Sequence, residues 1–539
     1  MPKNIPPTVA GQPVRGFARL FLRKSVEQMH AEHSASELKR SLSSLNLISL
    51  GIGCIIGTGI FVLTGRVAAD LAGPAIMISF IITGVLCTFV ALCYSELASM
   101  LPVSGSAYSY SYASMGEVVA WVMGLLLVLE YGLAASTVAV GWSSYVVSLL
   151  HDIGLHLPPE LTSAPGVEVK EDGVLVAHGI VNLPAMIAIF CVTCLLVVGV
   201  QESANANNLI VVIKLSVVIA FIAVGIFFVD TANWFPLIPD EIPAPPAGTE
   251  RGFWEDIWRA MTDVVTAENT SRYGVGGVIA GAATVFFAYI GFEAVSTAGA
   301  EARNPARDMP IGIIGSLVIC TILYMLTSAV LVGIVPYSQL DTAAPIALAV
   351  NEMGMPWFAI LVKIGAIAGI SSVMLVLLYG QTRIFYTMAR DGLLPPAFAR
   401  VHLRYRTPWI DTIIVGVVAA GFAGLMSLDA LVDLTNVGSL AAFSIVCLTV
   451  LYLRVAEPGL KRPFRTPLFP FVPVAGAAMC LFLLMSIMAN AATRHFFIIY
   501  LVCGMVVYFA YGIRHSKLAR GEIVIGAEPT MDLPRKLDL

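Results

Sequence analysis

The stretch GIGCIIGTGIF, residues 51–61, lies inside a long apolar run yet contains four glycines. Apart from proline, glycine is the residue that most weakens a helix. The four-residue spacing of Gly53 and Gly57 is typical of small residues that let two membrane helices pack closely, which is one interpretation. The triplet Gly57-Thr58-Gly59 instead predicts that the helix unwinds at the centre of the run. A membrane tolerates unwound backbone only where it lines a cavity or is buried in protein.

The composition indicates a membrane protein. Of the 539 residues, 58% are hydrophobic and 12% are charged, whereas soluble domains contain about 25% charged residues. Such a chain is expected to cross a membrane several times, with lipid against most of its surface. Nucleic-acid binding has no support, because no basic stripe lies on a foldable soluble domain. A polar segment of about forty residues precedes the first apolar run, so no cleavable signal peptide is expected.

Apolar runs of about 20 residues predict an all-α integral membrane protein with twelve spans. The runs cover 45–68, 73–97, 117–149, 180–200, 208–229, 275–299, 311–335, 357–385, 410–428, 431–454, 470–490 and 496–513. Two polar stretches, 151–179 and 230–274, are predicted to be loops outside the membrane. The glycine-rich stretch therefore falls in the first span.

Lysine and arginine residues predict the orientation of these spans. Of the 31 in the chain, 22 lie on one face and six on the other. Because the number of spans is even, both termini are expected in the cytoplasm, with the spans in the plasma membrane (the cytoplasmic or inner membrane of a bacterium). Residues 14–28, VRGFARLFLRKSVEQ, predict an interfacial helix on the cytoplasmic leaflet, with a frayed tail as the alternative.

A second break is expected if the chain consists of inverted repeats. The stretch FFAYIGFEAVSTAG, residues 286–299, fits this pattern in the sixth span. Amide groups at one half-helix end attract a carboxylate, and carbonyls at another accept from an ammonium, so two breaks predict an α-amino acid as substrate. The predicted units are a cytoplasmic tail (1–44), a first repeat (45–229), an outer loop (230–274), a second repeat (275–454), two additional spans (455–513) and a cytoplasmic tail (514–539).

Metal and cofactor sites are not predicted. All nine cysteines fall in apolar runs, and Cys191 and Cys194 share one face of a predicted membrane helix. The eight histidines lie in tails, loops or span edges, without acidic or cysteine residues at metal-ligand spacing. The glycines also lack the strand–loop–helix context of a dinucleotide site.

Lys214 lies within the fifth span, in NNLIVVIKLSVVIAFI. A charge at mid-span costs about 2.5–3.5 kcal/mol on insertion scales, so it needs an explanation. The ammonium either reaches the cytoplasmic interface along its alkyl stem or occupies a site where other transporters hold a sodium ion. In the second interpretation it acts as a proton switch during transport.

Other polar residues inside the spans have two or more interpretations. Glu130 is interpreted as a proton relay, a partner for a basic substrate or a structural carboxylate, and Glu293 as a cap of the second half-helix or a gate. Lys363 and Arg383 lie near span ends and are expected to extend to the interface.

Ser371 and Ser372 lie in the eighth span. They either bond a carbonyl one turn back or face the first span and share the ammonium of Lys214.

Five motifs together resemble the amino acid–polyamine–organocation superfamily, and within it the cationic amino acid transporter family and its bacterial relatives. They are GIGCIIGTGIF (51–61), YSELASMLPVSGSAYSYSY (94–112), NNLIVVIKLSVV (207–218), FFAYIGFEAVSTAGAEARNPARDMPIGI (286–313) and YGQTRIFYTMARDGLLP (379–395). The resemblance covers residues from about 40 to about 515. It implies the LeuT-like fold, a five-plus-five inverted repeat with broken first and sixth helices and two additional C-terminal helices.

The resemblance also implies roles for individual residues. The substrate carboxylate would meet Gly57, Thr58 and Gly59, and its ammonium would meet carbonyls at Ile55 and along the stretch Phe287, Ala288 and Ile290. Phe286 and Phe287 would close over the bound molecule. Lys214 matches the lysine that substitutes for sodium in proton-coupled members, and Glu130 matches a glutamate of the third span.

The predicted function is transport of an amino acid, not catalysis. Ile370 is bulky where a long arginine side chain would pass, which favours small neutral substrates, with cationic amino acids as the alternative. Proton-coupled symport is the first hypothesis, and exchange of amino acids or polyamines is the second. An intramembrane enzyme lacks a polar catalytic set, and a channel lacks a repeated filter. The expected partners are the substrate, protons and membrane lipid; the sequence does not indicate an auxiliary subunit.

Overall fold

The computed structural model describes residues 20–24, 41–101, 103, 105–171, 174–199, 204–242 and 272–520. Within these ranges the chain is an all-α integral membrane protein with one short β-hairpin. Eight helical segments are long and apolar enough to cross a membrane: Gly59–Met100, Glu117–Asp152, Asn208–Phe228, Gly274–Glu301, Pro305–Ile334, Pro356–Arg390, Leu428–Ala456 and Ala491–His515. Most of the predicted interfacial helix over 14–28 lies outside the described residues, and so does most of the loop over 230–274.

The helices are labelled in chain order. They are α1 (Ser44–Ile55), α2 (Ile76–Met100), α3 (Ser106–Ser114), α4 (Glu117–Asp152), α5 (Leu183–Val198), α6 (Ala204–Gly225), α7 (Gly274–Val285), α8 (Pro305–Ile334), α9 (Pro345–Glu352), α10 (Pro356–Arg390), α11 (Trp409–Leu425), α12 (Leu428–Ala456), α13 (Phe471–Ile487) and α14 (Ala491–Val507). Four of them, α1, α5, α11 and α13, are apolar but shorter than a usual span. Strands β1 (Glu168–Glu171) and β2 (Val174–His178) form an antiparallel hairpin after α4.

Close helix packing depends on small residues. Helix α8 packs along both α1 and α2. A Cβ on Gly51 of α1 would collide with Ser316 of α8, and a Cβ on Gly312 would lie 2.7 Å from the Cβ of Leu47. Proline stands in the first turn of α5, α8, α9 and α10, where its missing N–H group removes no helical hydrogen bond.

Buried carboxylates hold the chain ends against the helix bundle. Asp391, which follows α10, accepts hydrogen bonds from the Lys24 ammonium at 2.6 Å and the Tyr108 hydroxyl at 2.8 Å. The N-terminal segment is therefore tied to the end of α10 through a buried ion pair.

Glu117, at the first turn of α4, binds the C-terminal segment. Its carboxylate accepts from Tyr112 at 2.8 Å, from Tyr508 at 3.0 Å and from the hydroxyl of Ser516. One turn further along α4, the indole of Trp121 donates to the Gly504 carbonyl at 3.0 Å. Polar contacts thus fasten α14 and the residues after it to α4.

Two charged residues near span ends behave differently. Lys363 has a buried side chain, and its ammonium lies 2.5 Å from the partly exposed carboxylate of Asp152, the last residue of α4. The ammonium therefore lies beside the end of a membrane-spanning helix, and its extension to the interface stays a prediction. Arg383 remains partly exposed, with its guanidinium 4.6 Å from the centre of the Tyr379 ring.

Candidate functional site

The first break begins where α1 ends at Ile55. Ile56 is extended, with φ −76° and ψ 101°, and the chain is helical again from Thr58, which precedes the π-helix Gly59–Leu63. Residues 59–72 then form a second half-helix that leads to α2. Because α1 stops at this point, its last carbonyl groups lack partners within the helix.

The second break follows α7. A 3-10 turn, Phe286–Tyr289, is followed by Ile290 in a non-helical conformation and by Gly291 at φ +119°, a conformation that only glycine adopts readily. A 3-10 helix, Glu293–Glu301, continues the chain. The amide of Gly291 donates to a carboxyl oxygen of Glu293 at 2.8 Å. The side chain of Glu293 therefore stabilises this turn.

The two breaks touch each other, and glycine makes the contact possible. A Cβ on Gly59 would collide with the Cα and Cβ of Ala288, and a Cβ on Gly291 would lie 2.8 Å from the carbonyl carbon of Cys54. Each break therefore has a glycine at the place where the other approaches. This contact explains part of the glycine content of the stretch 51–61, since Gly59 meets the second break and Gly51 meets a neighbouring helix.

Lys214 of α6 satisfies carbonyls of the first break. Its ammonium lies 2.5 Å from the Gly53 carbonyl and 3.1 Å from the Ile56 carbonyl, and its side chain is fully buried. A cation at the carbonyl end of a helix is favoured by the helix dipole. The lysine therefore does not extend to the interface, and it lies at the helix break.

Tyr324 of α8 connects the two breaks. Its hydroxyl lies 2.7 Å from the Ile55 carbonyl and 2.9 Å from the Ala288 carbonyl. The ring packs against both Phe80 and Tyr289, with each centroid 5.5 Å away. Tyr324 is not among the residues predicted from the sequence. Its only signal there is a hydroxyl in the middle of the apolar run CTILYMLTSAV, residues 320–330.

The predicted serines of the eighth span have different contacts. Ser372 donates to the Gly369 carbonyl at 2.9 Å and accepts a long contact, 3.5 Å, from the Lys214 ammonium. Ser371 donates to the Ile367 carbonyl and accepts from the indole of Trp142 at 2.9 Å. Only Ser372 therefore reaches the lysine, while Ser371 connects α10 to α4.

Thr58 packs against α4. Its hydroxyl donates to the Val138 carbonyl at 3.3 Å, and a Cβ on Gly141 would collide with its side chain. Gly57 faces α10, where a Cβ would lie 3.1 Å from a methyl group of Val373. Ile370, on the same helix, is fully buried.

Glu130 lies in a π-helical turn of α4, Leu129–Leu133, and is fully buried. Among the described residues neither of its carboxyl oxygens has a hydrogen-bond partner of good geometry. Electrostatic interaction links it to Glu293 at the second break. These two carboxyl groups therefore form a buried acidic pair.

The aromatic residues of the second break are buried as well. The ring of Phe286 packs edge-on against Phe443 of α12, with 5.7 Å between the centroids. Phe287, Ala288 and Ile290 are each at most 5% exposed. These residues of the second break are thus enclosed by protein. No group of three residues that could hold a metal ion occurs in the described part of the chain.

Comparison with known proteins gives consistent matches along most of the chain. Residues 42–509 match a protein family described as amino acid permease. The methylthioribose transporter of Bacillus subtilis (strain 168) is 43% identical over 502 residues, or 93% of this chain and 100% of that protein. The branched-chain amino acid permease of the same strain is 42% identical over 93% of this chain and 99% of its own length. A vacuolar cationic amino acid transporter of Arabidopsis thaliana is 36% identical over 81% of this chain and 68% of its own length.

Proposed function

The chain belongs to the amino acid permease family of the amino acid–polyamine–organocation superfamily, and on that premise we propose that it carries L-amino acids across the membrane by proton-coupled symport. The observation that carries the proposal is the contact between two unwound segments in the centre of the helix bundle. Gly59 meets Ala288 there, and Gly291 meets Cys54. Two broken helices that meet offer free amide groups and free carbonyls to one small zwitterion.

The proposed architecture is the five-plus-five inverted repeat. Twelve spans result when the short apolar helices are counted, the continuous segment Gly59–Met100 is divided at Gly73, where φ is +60°, and α1 is joined to the half-helix 59–72 as one broken span. The breaks then fall in the first and sixth, with the repeats at 45–229 and 275–454 and two helices after them. The excess of lysine and arginine on one face supports cytoplasmic termini and insertion in the plasma or inner membrane.

Lys214 is the proposed site of proton coupling. Its ammonium bonds two carbonyls at the end of α1, so loss of its proton would leave one end of the broken helix without a charged partner. Movement of α1 would then depend on the protonation of Lys214. Glu130 and Glu293, a buried acidic pair at the second break, are proposed to support this coupling or the gating that follows it.

The proposed substrates are neutral amino acids, with cationic amino acids as the alternative. Ile370 adds an apolar, buried side chain to α10, and one relative is named for branched-chain amino acids while another is named for cationic ones. A second candidate is methylthioribose, because a relative named for it is 43% identical. That sugar has neither carboxylate nor ammonium, so the paired breaks favour an amino acid. Exchange of amino acids remains the alternative mechanism.

Uptake into proteoliposomes tests the proposal. Labelled alanine, leucine, arginine and methylthioribose are supplied with and without an inward proton gradient, to the wild type and to Lys214→Met. We expect an amino acid to accumulate in the wild type when the gradient is present, and we expect the substitution to abolish accumulation. Lys363→Met is the matched control, because Lys363 is also buried in a span but contacts Asp152 rather than a helix break.

Three results would contradict parts of the proposal. Uptake that ignores the gradient and needs amino acid inside the vesicle would indicate an exchanger. Accumulation of methylthioribose alone would assign the site to a sugar. Equal loss of coupling in Lys214→Met and Lys363→Met would mean that any buried lysine matters and that Lys214 has no special role.

A further inference from the structure

The carbonyls of the two breaks are divided between two donors. The Lys214 ammonium takes those of Gly53 and Ile56, while the hydroxyl of Tyr324 lies next to those of Ile55 and Ala288. An ammonium has three hydrogens to donate, but a phenol has one. The Tyr324 hydroxyl can therefore donate fully to only one of its two carbonyls at a time.

The second carbonyl needs another donor. An unpaired buried carbonyl costs about 1–3 kcal/mol, and both oxygens lie within 2.9 Å of one hydroxyl oxygen. Two carbonyls so close together and facing one point have the arrangement that an ammonium requires. The α-ammonium of an amino acid supplies the missing hydrogens, and the carbonyls can accept from it and from Tyr324 together, since each has two lone pairs.

The position of the hydroxyl is fixed by packing. Tyr324 is fully buried, and Phe80 and Tyr289 enclose its ring. The residue lies on α8, outside both broken helices. It therefore fixes the separation of two carbonyls that belong to two different broken helices.

We propose that Tyr324 is a positioning residue that holds the Ile55 and Ala288 carbonyls together so that both contact the α-ammonium of the substrate. This inference rests on the proposed function, because it concerns the amino acid that the site would bind. It adds a residue of α8 to a site to which α1, α6, α10 and the second break contribute. Without the hydroxyl, the two carbonyls repel each other, and the ammonium keeps only one of them.

The test is Tyr324→Phe, which keeps the ring and removes the hydroxyl. Uptake of leucine and alanine is measured in proteoliposomes, together with their N-methyl forms, whose amines have one hydrogen fewer. We expect the KM of the parent amino acids to rise about tenfold, the effect of one lost hydrogen bond, with a smaller change in kcat. We also expect the preference for the parent over its N-methyl form to shrink, because one carbonyl contact of the amine is already lost.

Tyr145→Phe is the matched control. Tyr145 is also fully buried, and its hydroxyl donates to the Phe61 carbonyl at 2.8 Å, on the first broken helix but beyond the break. Its removal is expected to leave both KM and the N-methyl preference near wild-type values. An unchanged N-methyl preference in Tyr324→Phe, or equal effects of the two variants, would overturn the assignment. If the wild type itself takes up no amino acid, the proposed function fails and the role of Tyr324 fails with it.

Discussion

Substitution of Gly59 by alanine tests whether contact between the two breaks is required for transport. The added Cβ would collide with the Cα and Cβ of Ala288. The Cα of Ala288 belongs to the backbone and cannot move aside by side-chain rotation, so the backbone segments of the two breaks must move apart. Overpacking of this kind typically costs about 1–3 kcal/mol. A cost of about 2 kcal/mol would reduce the population of the assembled site roughly 30-fold.

The comparison variant is Gly132→Ala. Gly132 lies in the π-helical turn of α4, where the nearest atom to an added Cβ is the flexible end of Gln381 at 3.7 Å, an ordinary contact. We expect Gly59→Ala to lower kcat/KM for the transported amino acid by about one order of magnitude or more, and Gly132→Ala to leave it within about twofold. Uptake is measured in proteoliposomes with equal amounts of monodisperse protein.

The double variant Gly59→Ala, Ala288→Gly tests whether the collision with Ala288 causes the transport defect. Removal of the Ala288 methyl relieves one of the two collisions, so we expect partial recovery and a positive interaction between the two sites. Wild-type transport in Gly59→Ala would refute the reasoning, because the breaks would then not need to touch. A double variant that is no better than Gly59→Ala would show that the defect arises elsewhere than at Ala288.

Three further predictions concern side chains of α4, α10 and the half-helix 59–72. Ile370→Ala should raise uptake of arginine relative to alanine about tenfold, because each methylene in an apolar pocket changes the discrimination between two substrates by about 1–3 kcal/mol. Competition assays measure the uptake ratio, and an unchanged ratio would place Ile370 away from the substrate. Asp152→Asn should lower the melting temperature more than Lys363→Met does, because it leaves the more deeply buried ammonium without a carboxylate partner. Thermal unfolding in detergent measures both variants, and the reverse order would contradict the ion pair. The effects of Arg66→Gln and Asp429→Asn on the melting temperature should be non-additive, since the two side chains lie 2.7 Å apart and connect the half-helix 59–72 to α12. Strictly additive effects would show that the two residues do not stabilise each other.

Much of the fold could be predicted because membrane spans impose a simple pattern. Apolar runs near 208–229 and 357–385 correspond to α6 and α10 within a few residues, since lipid requires long apolar helices whatever their partners. A break in the first span was also predictable from the poor helix formers Gly57-Thr58-Gly59, but only Gly57 of this triplet is unwound, since Thr58 and Gly59 are already helical. The extended residue Ile56 lies immediately before that triplet.

The contacts between distant segments could not be predicted. Tyr324 is one tyrosine among 17, and only the packing of α8 against α1 and the second break gives its hydroxyl two carbonyls. The pairing of Lys363 with Asp152 joins α10 to the end of α4, which sequence spacing does not reveal. Ser371 and Ser372 were equal candidates for the same reason. Adjacent residues of a helix point in directions about 100° apart, and the sequence does not show which face of α10 is directed toward Lys214.

The attachment of the C-terminal segment to α4 has a consequence for how such a chain can evolve. Glu117 is fully buried, and two of its three hydroxyl partners, Tyr508 and Ser516, come from the last helix and the residues that follow it. A chain that ended before α13 would retain the buried carboxylate and lose two of its three hydrogen-bond donors. Loss of these helices in evolution is therefore expected to require a simultaneous change at Glu117.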